Sequence, residues 1–595
     1  MTEYFEVHER DGAARVGELR LADPVTTPAL VGESDDEWAD GPVHGVLRDA
    51  GSRWARERAV PEGDETAVTV LPYRGFPAGT AAAVSEAFAV DSPDVAFPSA
   101  AVVSPDSAAD AGTDAYVLAG APGYAGHAAA FVDAMLATRR AVPADGALYL
   151  PGVATPRNVA TLVYAGADLV DADRAVIRGT QGRYLTTDGA HFLEDLDELP
   201  CACPACQVPR ESFDRADCVE HNVRALAAEL ARVRRRIRDG RLRDYLEGQA
   251  RQDQWLTATM RRLDEEYAYL ERRTPLVRRA EMTAATEDTL RRVEIQRFAE
   301  RVTERYVPRF DEHPLVLVPC SAKKPYSESQ SHGQFQEAVG YRGHFVSITS
   351  PIGVVPQELE LTYPAQHYDS VVTGHWSATE IEFVSDVLAA YLDRAEYPEL
   401  IAHVPEDYRP IVERAADAAG VDFAYTVADH PTTADSLANL AGALEGHSTY
   451  LKGERQRRTL RAVADYQFGE GAGEALFADL SVRGRHPQLR AHDGDGEQLA
   501  ALVQEYGVLA LTLAGARRWV DSDVSTKRVE IEPFVPHGSV LAPGVVDASD
   551  DVRVGDEVVV SGEAAFGVGR AAMSGPEMAE STRGVAVQVR HVEEQ

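Results

Sequence analysis

The spacing of apolar positions changes along this 595-residue chain, and the changes divide it. Up to about residue 200, short apolar runs such as Ala147-Leu148-Tyr149-Leu150 alternate with Ala-rich helical stretches such as Ala125 to Arg139, the pattern of an α/β domain. The length suits a βα-barrel, although the repeats are too diverged for strands to be counted. A segment over 34–65, rich in Asp, Glu, Gly and Arg, reads as an exposed insertion. A helical period begins at His221 and places Val223, Leu226, Leu230, Val233 and Ile237 on one face. Gly240 interrupts it, and the helical pattern resumes up to about Val307. Then Leu315-Val316-Leu317-Val318 forms a buried-strand run ending at Pro319-Cys320. Further strand signals follow at Gly343 to Thr349, Ser370 to Gly374 and Leu400 to Val404, with a helix through Leu392. Strands alternating with helices predict a parallel sheet whose functional loops lie at the strand C-termini. Residues 456–525 read mainly as helix. From about Thr526 the apolar alternation, with Gly538, Gly544, Gly555, Gly567 and Gly569 in turns, predicts a small β-barrel.

Composition adds one strong signal. There are 95 acidic against 59 basic residues, a formal net charge of -36. Lysine occurs only at Lys323, Lys324, Lys452 and Lys527. Such a surface suits a salty cytoplasm, where a Debye length of roughly 3 Å near 1 M salt screens self-repulsion. Regular apolar periodicity argues against an acidic disordered chain. Net acidity does not exclude RNA, because counterion release contributes little at high salt. Among the helix residues after His221, Arg232, Arg234, Arg235, Arg236 and Arg238 lie mainly off the apolar stripe, as a solvated face or an RNA contact. No run approaches ~18 uninterrupted apolar residues, and the opening Met1 to Val16 is charged and polar. A soluble, cytoplasmic protein without a membrane span is expected.

Five cysteines occur, and four of them crowd between Cys201 and Cys218. Cys201, Cys203 and Cys206, with His221 beyond them, offer three soft thiolates and an imidazole, a ligand set suited to structural zinc. Cys218 competes for the fourth position. The fifth cysteine opens the segment Pro319-Cys320-Ser-Ala-Lys323-Lys324-Pro325-Tyr326-Ser327-Glu328-Ser329-Gln-Ser-His332. A lone cysteine at a strand end is commonly a small core hydrophobe. Here thiol, ammonium, phenol, hydroxyl and imidazole fall within fourteen residues, and a nearby cation or helix N-terminus would favour the nucleophilic thiolate.

Asp168-Leu-Val-Asp171, Gln181-Gly-Arg-Tyr-Leu-Thr186, Leu199-Pro-Cys201-Ala-Cys203-Pro-Ala-Cys206 and His221-Asn222 resemble the tRNA-guanine transglycosylases, as does Tyr149-Leu-Pro-Gly-Val-Ala-Thr-Pro156. That resemblance implies a barrel followed by a zinc site of Cys201, Cys203, Cys206 and His221, and by analogy a homodimer. Asp171 falls at the family's nucleophile position. Yet the family's Asp-Ser-Gly-x-Phe-Gln segment is missing, and Val102-Val103-Ser104-Pro105-Asp106 stands near its place. Without that second aspartate, base exchange lacks its proton-transfer partner. Asp171 is then a relic or structural carboxylate, with the nucleophile role as the alternative.

The Cys320–His332 string resembles the archaeosine synthases, transglycosylase paralogues that carry out nitrile chemistry. Thr349-Ser350-Pro351-Ile-Gly353-Val-Val-Pro356, Tyr363-Pro-Ala-Gln-His367-Tyr-Asp369 and Thr373-Gly374-His375-Trp376-Ser377 look familial too. The resemblance implies an α/β multidomain architecture. It comprises a degenerate transglycosylase-like barrel with zinc motif (1–225), a helical region (226–307), a catalytic α/β domain (308–455), a helical linker domain (456–525) and an RNA-binding PUA-like β-barrel (526–595). It also implies a tRNA D-arm substrate carrying 7-cyano-7-deazaguanine at position 15, with lysine as amine donor and a radical-SAM partner protein. Cys320, Lys323, Lys324, Tyr326, Ser329 and His332 are the catalytic candidates, and His367, Asp369, His375 and Trp376 the pocket candidates. The alternatives are an active transglycosylase and a non-catalytic tRNA-binding scaffold.

Overall fold

The computed structural model describes residues 2–34, 38, 41–49, 62–73, 81–87, 93–371 and 374–595. Most of the expected insertion at 34–65, and Val372 and Thr373, lie outside the described residues. The chain divides into two compact units. One holds residues 1–275 with 541–550 and 573–586, the other 276–540 with 551–572 and 587–595. No helix among the described residues is long and apolar enough to cross a membrane.

In the first unit, a three-stranded antiparallel sheet (Phe5–Asp11, Ala14–Leu19, Val25–Thr27) precedes a closed barrel. The barrel's seven described strands are parallel, and it closes where Leu169–Val170 pairs with both Ala29–Glu33 and Ala147–Leu150. Val31, Leu47, Val68, Val117, Ala147 and Leu169 share one buried core. Asp168 anchors the closing strand: buried, it accepts from Leu148 N (2.8 Å) and pairs with Arg15 (2.7 Å) and Arg139.

The long helix runs Arg215–Arg238, six residues ahead of the predicted start at His221. Asp214 and Asp217 form a capping box there, the side chain of Asp214 accepting from the Ala216 and Asp217 amides. The predicted stripe Val223, Leu226, Leu230, Val233 and Ile237 is buried throughout. Leu242–Gln249, Gln254–Glu265 and Tyr267–Arg273 continue the helical pattern in this unit. Val293–Glu304 belongs to the other, so the single helical region expected at 226–307 is split.

The second unit is built on a five-stranded sheet in the order Gly353–Pro356, His344–Thr349, Leu315–Pro319, Leu400–Ala402, Ala424–Tyr425. All pairs are parallel except the first, a hairpin at Gly353 (φ +96°) where the sequence suggested only a loop. Alternation along Leu315–Pro319 separates the two faces. Leu315 and Leu317 pack in the large core with Val384, Leu388, Ile411 and Val412, whereas Val316 and Val318 pack with Phe335, Val339, Leu440 and Leu444. After Leu315–Pro319 the chain crosses to His344–Thr349 on one side, and later returns to Leu400–Ala402 on the other. The order therefore reverses at Leu315–Pro319, and the C-terminal end of that strand is the switch point where such sheets bind ligands. The strand expected at Ser370–Gly374 lies elsewhere: Tyr368–Ser370 pairs with Met282–Ala284 in a separate two-stranded ribbon.

The helical reading of 456–525 holds only at its ends, in Lys452–Phe468, Ala472–Phe477 and Leu513–Asp521. Between them Ser481–Arg485, Gln488–His492, Gln498–Val503 and Val508–Leu511 form a four-stranded antiparallel sheet. These strands have four to six residues each, too short for their alternation to stand out in a charged, Ala-rich sequence. Beyond them Arg528–Ile531, Glu557–Gly562, Ala565–Ala571 and Val585–Glu594 are four of the six strands of the C-terminal sheet, a half-barrel where the sequence predicted a small β-barrel.

Candidate functional site

Cys320 follows directly on the switch-point strand, its amide donating to the Ile348 carbonyl (3.2 Å), so the sheet ladder fixes the thiol at the strand mouth. The sulfur lies 3.7 Å from Tyr408 Oη, within hydrogen-bond reach. Tyr408 comes from the loop between Leu400–Ala402 and the helix Arg409–Ala419, across the switch point. The Trp376 ring meets Tyr408 edge-on at 4.8 Å, and both side chains pack against the large core.

Lys324 interacts electrostatically with Cys320, and its ammonium sits 3.9 Å above the Tyr368 ring. Burial lowers the Lys324 pKa, while the charges of Cys320, Asp369 and Glu281 oppose the shift. Behind it a chain of hydroxyls is buried, with Tyr326 Oη 2.7 Å from Tyr368 Oη and Thr349 Oγ1 2.6 Å from the same phenol. Burial pushes both phenols far above their ordinary pKa.

The remaining candidates of this string hold its shape. Ser329 is a helix cap, its hydroxyl accepting from the His332 amide (3.2 Å) at the start of Gln330–Val339. His332 stacks on Tyr326 (5.2 Å, 18°) and places Nε2 3.0 Å from the Pro319 carbonyl. Lys323 is exposed and pairs with Glu328 at 3.4 Å. Of the pocket candidates, Trp376 and Asp369 neighbour the thiol's surroundings, through Tyr408 and Lys324 respectively. His375 is exposed on the following loop. The ring of His367 contacts Tyr363 (5.5 Å) and Tyr506 (6.4 Å) instead. Sequence reading missed Tyr368, Tyr408 and Thr349. Tyr368 stood inside a quoted segment, but no motif surrounds Tyr408.

In the first unit Cys201, Cys203, Cys206 and His221 converge, with all ligand atoms within 4.8 Å of one another. His221 Nδ1 lies 3.3 Å from Cys206 Sγ and 3.6 Å from Cys203 Sγ. Nε2 lies 2.9 Å from the Leu185 carbonyl, which can only accept, so the proton belongs on Nε2 and the Nδ1 lone pair faces the sulfurs. Tyr184 stacks on the imidazole at 3.7 Å. The donor set fits tetrahedral zinc, a structural ion that would tie the cysteine loop to the helix. Cys218 lies outside the cluster, buried against Tyr184 and Phe213, and burial pushes its thiol up to about 11.

Asp171 ends the closing barrel strand with both oxygens engaged. Oδ2 accepts from Tyr149 Oη (2.8 Å) and Gly152 N (2.7 Å), and Oδ1 from Asp173 N (3.1 Å). Burial, with Asp173 adding to it, raises its pKa to about 6. Several arginines of the helical stripe have local partners: Arg232 with Glu229, Arg235 with Asp239 (2.7 Å), and Arg234 with the Pro28 carbonyl (2.6 Å).

Comparisons with known proteins match these parts one by one. Residues 100–254 match the queuine tRNA-ribosyltransferase family model, and 458–525 the patch-forming domain C2 of tRNA-guanine transglycosylase. Residues 529–592 match the PUA domain, and 295–444, which carry the Cys320 site, a domain of unknown function. The chain is 61% identical to the archaeosine synthase of Haloferax volcanii, covering the whole of both proteins. It is 42% identical to archaeosine synthase subunit alpha of Methanosarcina acetivorans, again over both whole chains. It is 29% identical to the tRNA-guanine(15) transglycosylase of Methanothermobacter thermautotrophicus, over 77% of this chain and 68% of that one.

Proposed function

The chain belongs to the archaeosine synthase family, and on that footing we propose that it converts 7-cyano-7-deazaguanine at position 15 of tRNA into an amidine by adding an amine to the nitrile. Lysine is the amine, and a radical-SAM partner protein completes archaeosine from the adduct. The protein works in the cytoplasm, as a homodimer, with the PUA-like segment gripping tRNA and zinc holding Cys201, Cys203, Cys206 and His221 together.

The observation that carries this reading is Cys320 at the switch-point mouth, flanked by Lys324 and Tyr408. A thiolate there attacks the electrophilic nitrile carbon to give a thioimidate, and the amine then displaces the sulfur. Lys324 places positive charge where the nitrile nitrogen becomes basic. Lys323, Ser329 and His332 shape the loop, Tyr326 supports Tyr368 from behind, and Asp369, Trp376, His375 and His367 border the substrate's approach. Asp171, with its oxygens bound inside the barrel, stands apart from the nitrile step.

The test is mass analysis of nucleosides after incubating the protein with lysine and tRNA bearing the nitrile base. Cys320→Ser should yield no amidine while still binding tRNA. Amidine formed by that variant at near wild-type rate would remove the covalent step.

A further inference from the structure

Three observations single out Tyr408. It is the side chain hydrogen-bonded to the Cys320 sulfur among the described residues, at 3.7 Å. It reaches the thiol from a segment far from the Cys320–His332 string, so two separately anchored loops meet at the sulfur. Its ring is held by Trp376 edge-on and by the large core, which fixes where the hydroxyl points. By contrast, Lys323 and His332, acids that the string itself offers, are committed elsewhere, Lys323 to Glu328 and His332 to the Pro319 carbonyl.

We propose that Tyr408 is the proton carrier of the nitrile reaction, acid in its first half and base in its second. This rests on Cys320 being the nucleophile. As the thiolate bonds to the nitrile carbon, one π pair of the C≡N bond moves to nitrogen, and the Tyr408 O–H proton follows it. The products are a neutral thioimidate and a tyrosinate. The amine then adds to the same carbon, and the C–S bond breaks with its electron pair returning to sulfur. The surplus proton of the added amine passes to the tyrosinate. Nitrile plus amine gives amidine, with Cys320 and Tyr408 both restored and no further reactant consumed. Burial, with the sulfur's charge adding to it, raises the phenol's pKa, which keeps Tyr408 protonated at rest. Bonding to the nitrile carbon neutralises the sulfur and removes that second cause, so the phenol becomes a better acid as its proton is needed. Burial keeps its anion a strong base.

The experiment compares wild type, Tyr408→Phe and Cys320→Ser in single-turnover conversion of nitrile-bearing tRNA with lysine, alongside tRNA affinity. Tyr408→Phe keeps the ring against Trp376 and removes only the hydroxyl. It should slow conversion by about 10²-fold or more, in the range of general acid–base contributions, with tRNA affinity unchanged. Conversion within twofold of wild type, while Cys320→Ser is inactive, overturns the proton carrier and leaves the nucleophile standing. Activity in Cys320→Ser removes both. If Tyr408→Phe folds poorly, 3-fluorotyrosine at position 408 keeps the ring and the hydrogen bond while acidifying the phenol. The rate should then change, and an unaltered rate overturns the proposal.

Discussion

His332 Nε2 lies 3.0 Å from the carbonyl of Pro319, the residue just before Cys320. Because a carbonyl only accepts, Nε2 carries the proton, and the two ends of the Pro319–His332 segment are tied through a neutral imidazole. Replacing His332 by Ala leaves the Pro319 carbonyl without that donor and the stack on Tyr326 empty. We expect a loss of about 1–2 kcal/mol in denaturant unfolding and slower conversion with tRNA affinity retained. His332→Gln, which can still donate, should recover part of both. Wild-type conversion by His332→Ala would show that the tie does not position the thiol.

Acid should destabilise the second unit through histidines buried in neutral form. Burial lowers the pKa of His332, His367 and His403 below the ordinary 6.5. A depressed native pKa means that the unfolded chain takes up protons first as pH falls. The stability is therefore full above about pH 6.5 and is lost as pH drops through the native values. Thermal melts at constant high salt should be flat from pH 7 to 8. Below about pH 6.5 the second unit's transition should fall, opposite in sign to the contribution of Asp171 in the first unit. A second-unit midpoint that rises on acidification would contradict the assignment.

What the sequence disclosed follows from how local each signal is. The zinc cysteines and the Cys320–His332 string each lie in one short stretch, so residue type and spacing exposed them. Leu315-Val316-Leu317-Val318 announced a buried strand because both its faces are covered, each by a separate cluster. Tyr408 was invisible because only strand order brings it to Cys320. The sheet at 481–511 was hidden by the shortness of its strands, and the start at Arg215 because the cap precedes the apolar stripe. Residue roles inside the string were the least legible. Ser329 and His332 belong to it by sequence, yet Ser329 caps a helix and bonds Ser331, and His332 bonds the Pro319 carbonyl.

Metal content should follow the four converging ligands. Cys203→Ala should lose zinc and melt at lower temperature, since a structural site contributes on the order of 10–16 kcal/mol of folding free energy. Cys218→Ser, outside the cluster, should keep the metal. Zinc retained in full by Cys203→Ala, measured by elemental analysis, would overturn the ligand set.

Asp171→Ala should leave amidine formation within a few-fold of wild type and weaken the barrel, because Tyr149 Oη, Gly152 N and Asp173 N lose their acceptor, at about 1–3 kcal/mol for a donor left buried. The native pKa near 6 lies above the ordinary 3.8. Wild-type stability from this group is therefore greatest below about pH 4 and declines as pH rises through 6. The variant should lack that decline. Loss of amidine formation in a folded Asp171→Ala protein would instead return the carboxylate to the chemistry.

The C-terminal segment should not be separable by truncation, although its own turns and alternation predict a distinct small β-barrel. Val559, Phe566 and Val568 lie in the same core as Leu476, Phe477, Leu511 and Trp519. Buried Glu557 accepts from Leu511 N (2.7 Å) and binds Arg590 through both oxygens (2.6 and 2.9 Å), while Arg590 also donates to the Leu511 carbonyl (3.1 Å). Ending the chain at 525 removes the acceptor for a buried amide and uncovers apolar surface worth about 25 cal/mol per Å². The truncated protein is expected to melt well below the full chain or to aggregate, so its failure to bind tRNA would say nothing about the PUA-like fold itself. Glu557→Ala in the full chain leaves the Leu511 amide without its acceptor and the half-buried Arg590 guanidinium without its carboxylate, and should cost about 1–3 kcal/mol. A soluble 1–525 protein with a cooperative melt close to wild type would overturn the shared core and restore truncation as the test of RNA binding.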